Sequence, residues 1–258
     1  MFYQVKDFNN FTIQAVDGEL GRFKDILFDD RNWVSRYVMV DTNKWLPGGR
    51  KVLVSPISVL DPEIEDKKVP INLSKKDIEN SPHLDEHKPV SREYETNFFD
   101  HFGYGYYWMG QSLWGPYPTP TDLAGALADK NATSDVGAFE TKEGHLRSAN
   151  ELDGYQIRTR DGKIGRVADF ILNGTNWSVP YLVIDSNFWM PFGKKVLVPT
   201  KYLDTVSWVD RTVDVEMSTS QIAASPEYNF VELQKLKYRE AVNSYYNFLH
   251  GENNRESA

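Results

Sequence analysis

Asp17-Gly18-Glu19-Leu20-Gly21-Arg22-Phe23-Lys24-Asp25 occurs near the start of the chain, and Asp161-Gly162-Lys163-Ile164-Gly165-Arg166-Val167-Ala168-Asp169 follows 144 residues later. The match extends outward without a gap, so that Phe11–Leu84 falls on Tyr155–Tyr228. Asn32-Trp33 lands on Asn176-Trp177, Tyr37 on Tyr181, Asp41 on Asp185, and Trp45 on Trp189. Lys51-Val52-Leu53-Val54 lands on Lys195-Val196-Leu197-Val198, and Ser81-Pro82 on Ser225-Pro226. Two copies at so long a period do not make a solenoid; they make a duplicated domain.

Asp-Gly readily takes positive φ and marks a hairpin. Ile26-Leu27-Phe28 and Tyr37-Val38-Met39-Val40 are unbroken apolar runs, as are their counterparts Phe170-Ile171-Leu172 and Tyr181-Leu182-Val183-Ile184. Such runs suit strands covered on both faces. Lys51–Val54 and Val69–Leu73 continue the series, matched by Lys195–Val198 and Val213–Met217. Ser74 and Ser218 stand as helix N-caps, and Asp77 and Gln221 three residues on complete a capping box. Ser-Pro then stops a short helix in each copy.

Short strands, regular turns and no long intervening helix predict a small antiparallel barrel in each copy. The expected fold is mainly β: two such barrels in tandem, short helices, and an aromatic connecting segment. The domains read as copy one over 1–84, a connector over 85–154, copy two over 155–228, and a C-terminal helix with a polar tail over 229–258. Two-fold pairing of the copies is expected, giving an intrachain pseudo-dimer, with a homodimer as the alternative.

Asp-Gly-x-x-Gly-Arg, an apolar strand, Trp, Tyr-Val-x-Val-Asp, Trp-x-Pro-x-Gly, Lys-Val-Leu-Val and a closing Ser-Pro together resemble the PRC-barrel domain. That domain occurs in the photosynthetic reaction-centre H subunit and in a ribosome-maturation factor, and the strongest resemblance is to bacterial proteins with two such barrels. The resemblance implies a domain that mediates protein contacts and is not itself catalytic.

The formal net charge of −8 and pI near 5.2 argue against nucleic-acid binding, which needs many cations facing phosphates. The chain has no cysteine, which removes disulfides, thiolate metal sites and a cysteine nucleophile together. No apolar run approaches the ~20 residues of a transmembrane helix. No signal peptide is read at the N-terminus, and a cytoplasmic location is expected.

Between the copies, Phe98, Phe99, Phe102, Tyr104, Tyr106, Tyr107, Trp108, Trp114 and Tyr117 are interleaved with Gly and Pro. Two readings stand: a strap whose rings pack on the barrels, or a docking segment awaiting a partner. Trp108 and Trp114 in this segment, and Trp45 and Trp189 in their Pro/Gly loops, are the candidate protein contacts, because one Trp buries much area and keeps a polar handle. The loop tryptophans equally suit a plug at a barrel end. Phe230, Leu233, Tyr238, Val242, Tyr245 and Leu249 recur at helical spacing and predict an amphipathic C-terminal helix.

Asp17, Gly18, Gly21, Arg22 and Asp41, with Asp161, Gly162, Gly165, Arg166 and Asp185, read as structural repeat positions. So do Asp25 and Asp169, since an Asp beside a strand commonly accepts backbone hydrogen bonds. His83, Glu86 and His87 match His-x-x-Glu-His, but Pro82 and Pro89 leave no room for the regular helix that zinc chemistry requires. No catalytic residue, metal or cofactor is assigned. The expected function is a non-enzymatic adaptor with an unidentified protein partner. The alternatives are a small-ligand or metal binder using a cleft between the barrels, or an accessory factor of a photosynthetic or ribosomal complex.

Overall fold

The computed structural model describes residues 1–42, 49–86, 88–124, 145–186 and 193–256, with side chains to 251. Strand β1 (Phe2–Gln4) precedes the first copy. That copy contributes β2 (Thr12–Ala15), β3 (Gly18–Asp29), β4 (Val34–Asp41), β5 (Lys51–Val54) and β6 (Lys68–Pro70). Strand β7 (Leu146–Ser148) precedes the second copy, which contributes β8 (Gln156–Thr159), β9 (Gly162–Asn173), β10 (Tyr181–Asp185), β11 (Lys195–Pro199), β12 (Leu203–Ser207) and β13 (Thr212–Val215). The helices are α1 (Lys75–Glu79), α2 (Arg92–Phe102), α3 (Ala149–Leu152), α4 (Thr219–Ala224), α5 (Phe230–Leu233) and α6 (Leu236–Glu256).

The first sheet runs β5-β4-β3-β2-β6, and the second runs β11-β10-β9-β8-β13-β12. Both are mixed, not wholly antiparallel: β2 pairs parallel with β6, and β13 parallel with β8. The chain path explains this. The four-strand meander leaves its last strand antiparallel to its first. The chain then continues through a single 3-10 turn, Pro56–Ser58 or Thr200–Tyr202, before a hairpin brings the final strand back. That strand reaches the first one running the same way. The ends of each path are consecutive in sequence, but no hydrogen-bonded closure of a barrel is found among the described residues.

The chain divides into two compact units that do not follow the copies strictly. The copy-1 unit comprises Asp7–Ala149 and Gly174–Ser178; the copy-2 unit comprises Met1–Lys6, Asn150–Asn173 and Val179–Ala258. Each unit therefore takes a strand from the peptide that leads into the other copy. In the copy-2 unit, β1 pairs with the end of β9, placing Phe2, Tyr3 and Gln4 opposite Asn173, Leu172 and Ile171. In the copy-1 unit, β7 pairs with the end of β3, placing Leu146, Arg147 and Ser148 opposite Asp29, Phe28 and Leu27. Shifting one register by 144 residues reproduces the other.

Apolar side chains fill each unit, as the unbroken runs predict. Ile26, Phe28, Tyr37, Val40 and Val54 are buried in one, and Ile164, Ile171, Leu182, Ile184 and Leu197 in the other. A helix covers a recurring tyrosine in each. Tyr37 Oη donates to Glu95 on α2 at 3.2 Å, and Tyr181 Oη to Asn243 on α6 at 3.3 Å. Phe98 and Phe99 pack inward from α2, and Val242, Tyr246 and Leu249 from α6. The C-terminal helix is thus present, beginning at Leu236. Among the described residues, no helix is long and apolar enough to cross a membrane.

Candidate functional site

The recurring polar residues take up matching structural tasks. Asp17 Oδ1 accepts the Lys75 amide at 2.9 Å, and Asp161 Oδ1 accepts the Thr219 amide at 2.7 Å. Both hairpin aspartates thereby satisfy an orphan N–H in the first turn of a following helix. The predicted capping boxes are formed at Ser74 with Asp77 and at Ser218 with Gln221. Asp25 and Asp169 lie buried beside bulges, where Asp25 accepts the Ile26 amide at 2.8 Å and Asp169 the Phe170 amide at 2.7 Å.

Gly21 and Gly165 allow close strand approach. A Cβ at either position would lie 2.2 Å from the carbonyl oxygen of Asp41 or Asp185. Gly18 has φ +131° in its turn, whereas in the second copy it is Gly165 and not Gly162 that has φ +131°. Arg22 and Arg166 are exposed; Arg22 Nη1 donates to the Asn10 carbonyl at 3.4 Å.

The chemically richest group lies in the copy-1 unit, where β3, β4, α2, the aromatic segment and the residue before β7 converge. Arg36 is buried, with Nη1 donating to the Leu113 carbonyl at 2.5 Å and Nη2 3.5 Å from Asp29 Oδ2. Its guanidinium lies 3.9 Å from the Tyr107 ring centre and 4.9 Å from that of Trp114, and its Nε has no hydrogen-bond partner among the described residues. Glu95 is fully buried and Oε1 accepts from both Tyr37 and Tyr107, the latter at 2.5 Å. Glu95 Oε2 is 2.9 Å from Arg92 Nη1 without the alignment of a hydrogen bond. His145 Nε2 is 2.8 Å from Tyr107 Oη.

Burial sets the charges here. It pushes the Glu95 carboxyl up to about 7, against the pull of Arg92, Tyr107, Tyr37 and Arg36. It pushes His145 down to about 4, with Arg92 acting in the same direction. Both tyrosines rise well above the ordinary value, through burial and then the neighbouring Glu95. Asp29 differs: burial raises it, but Arg36, Asn32 and the Arg31 amide outweigh burial and hold it below the usual range. The cluster is a mostly neutral network around one buried Arg–Asp pair. It stitches a helix, a loop and an incoming strand to the sheet.

Of the tryptophan candidates, Trp114 is wholly buried and donates Nε1–H to the Asn176 carbonyl at 2.8 Å. Trp108 is half-buried, stacked on Tyr106 and lying under the Arg92 guanidinium. Trp45, Trp189 and His87 lie outside the described residues. His83 is exposed and non-helical, and Glu86 pairs with Lys51 Nζ at 2.5 Å. Among the described residues, no three His, Cys, Asp or Glu side chains are placed to hold a metal ion.

The buried network was missed in sequence. The exchanged strands were missed too, although the repeat register carries on to them: Phe2, Val5 and Phe8 fall on Leu146, Ala149 and Leu152.

The span beginning at the network's His145 and running through the second sheet decides the family comparison. Residues 145–221 match the PRC-barrel domain. The PRC-barrel match includes β7 and ends within α4, so it takes in the turn Asp161, the close-approach Gly165 and the capping box at Ser218. Among curated proteins, none matches the chain.

Proposed function

We propose that this chain is a non-enzymatic adaptor built from two PRC-type domains, the first being residues of copy one. One observation carries the reading: the polar residues that both copies keep are engaged in construction. Asp17 and Asp161 hold helix starts, Gly21 and Gly165 admit a neighbouring carbonyl, and Asp25 and Asp169 hold bulges. The shared element-by-element order, including matched parallel pairings and capping boxes, supports extending the PRC description to copy one. The buried network is enclosed by aromatic rings, whereas catalysis needs converging groups open to a substrate.

The surface we assign to a protein partner centres on Trp108, a partly exposed side chain stacked on Tyr106 and lying under Arg92. Large aromatics beside Arg are the residues that dominate protein contacts. The test is affinity capture with the full chain as bait, in an extract of its source cells, compared with Trp108→Ala. The reading expects a stoichiometric protein partner, retained by the parent and lost by the variant. A co-purifying chromophore or metal, or substrate turnover abolished by Glu95→Gln, would overturn it.

A further inference from the structure

The peptide leading into each copy completes the sheet of the other, and the two pairings share one register. Each copy thus lends one strand and receives one in the matching register. The slot on β9 holds its strand largely through the backbone. Gln234 Oε1 accepts the Phe2 amide at 3.1 Å while its Nε2 donates to the Phe2 carbonyl at 2.9 Å. Asp169 Oδ1 accepts the Lys6 amide at 3.1 Å, and Lys6 Nζ meets Asp153 at 2.8 Å. Tyr228 Oη donates to Gln4 Oε1 at 2.5 Å, and Arg239 covers the Phe2 ring. Every one of these partners belongs to the copy-2 unit, whereas the chain passes into the copy-1 unit at Asp7.

A slot of this kind recognises a strand and not the route by which the strand arrives. We propose that the β9 slot also accepts Met1–Lys6 of a second copy of this chain, forming a dimer by reciprocal exchange of β1. The strand contacts in the slot are the same in both states, and the 3-10 turn Val5–Asn10 that follows β1 is the hinge that changes. What separates them is effective concentration, which for a short connection is on the order of millimolar. Exchange is therefore minor at micromolar chain and becomes comparable with the closed form near ~1 mM. This holds whether or not the adaptor reading is correct, since it concerns self-association alone.

The absence of cysteine makes introduced thiols unambiguous reporters. Phe2 and Asn173 are directly opposed and both half-buried. A chain carrying both Phe2→Cys and Asn173→Cys, oxidised at ~10 μM, is expected to close within one molecule and run as a monomer. Equal amounts of the single variants, mixed at ~1 mM, warmed and oxidised, are expected to give a covalent product of one chain of each, seen on a non-reducing gel. Absence of that product, while the double variant closes internally, would overturn the proposal. A measurement on the natural sequence guards against effects of the cysteines: its dimer fraction by sedimentation should rise at least tenfold between ~10 μM and ~1 mM, and deletion of residues 1–6 should abolish it. A dimer that survives the deletion, or no rise in the parent, likewise overturns it.

Discussion

The Tyr107 hydroxyl donates to Glu95 Oε1 at 2.5 Å, with both side chains buried. The tyrosine brings this bond from the aromatic segment and the glutamate from α2. The bond ties the segment to α2, alongside the bonds from Arg36 to the Leu113 carbonyl and from Trp114 to the Asn176 carbonyl. Glu95→Gln keeps an acceptor oxygen for Tyr107 and Tyr37, so its effect on unfolding free energy is expected to stay within about 1 kcal/mol. Glu95→Ala removes the acceptor from two buried hydroxyls and leaves a void, with an expected loss of about 3 kcal/mol. Urea unfolding followed by tryptophan fluorescence separates the two; equal losses would show that the carboxyl is not the anchor.

The pH response follows from Glu95 and its neighbour His145 in the same network. Glu95 titrates at about 7 in the folded chain, above its ordinary 4.5. Its contribution is fully present below 4.5 and is lost as pH rises through 7. His145 titrates at about 4, below its ordinary 6.5, so its contribution is present above 6.5 and lost as pH falls through 4. Between 4.5 and 6.5 the slopes oppose each other. Relative to the parent, His145→Gln should leave a net fall in stability from pH 4.5 to 7, and Glu95→Gln a net rise from pH 4 to 6.5. Unfolding midpoints of the three proteins across pH 4–8 test this; parallel profiles would count against it.

Gly21→Ala and Gly165→Ala should each cost about 2–4 kcal/mol, because a methyl group 2.2 Å from a backbone carbonyl can be placed only by moving a strand. Gly251→Ala is the control. It meets nothing within 4 Å in helix α6 and should stabilise by up to about 1 kcal/mol. Thermal melts of the three variants give the ranking.

Asp17→Ala and Asp161→Ala each free a first-turn helix amide, so each is expected to lower the unfolding midpoint. The sites share no partner, so the double variant should lose the sum. Chemical denaturation of the singles and the double checks both statements. A double loss well above the sum would reveal coupling between the two helix starts.

Local chemistry made much of this legible in sequence. Asp-Gly turns and the Ser-x-x-Asp and Ser-x-x-Gln caps act within a few residues and formed where expected, whereas the spacing from Phe230 to Leu249 is shared by two helices, α5 and α6. The parallel edges were not legible, because Thr12–Gln14 and Lys68–Pro70 pair in register only after the chain has circled the sheet. Nor was the Glu95 network, since a carboxylate on a short helix has the same local pattern whether it meets water or two tyrosines. Strands of three residues, such as Phe2–Gln4 and Leu146–Ser148, are too short for an alternation to show.

The two strand donors differ in sequence, Phe-Tyr-Gln against Leu-Arg-Ser, although they occupy matching registers. In an assembly of identical chains, one codon change is felt at both slots. Here it is felt at one. A mutation at Phe2 tests the β9 slot alone, and a mutation at Arg147, which meets Asp30 at 3.0 Å, tests the β3 slot alone. Inheritance can therefore act on each half separately. The Arg36–Glu95–His145 network is present in one half, where the other has Pro180 in place of Arg36, and a 21-residue closing helix is present in the other.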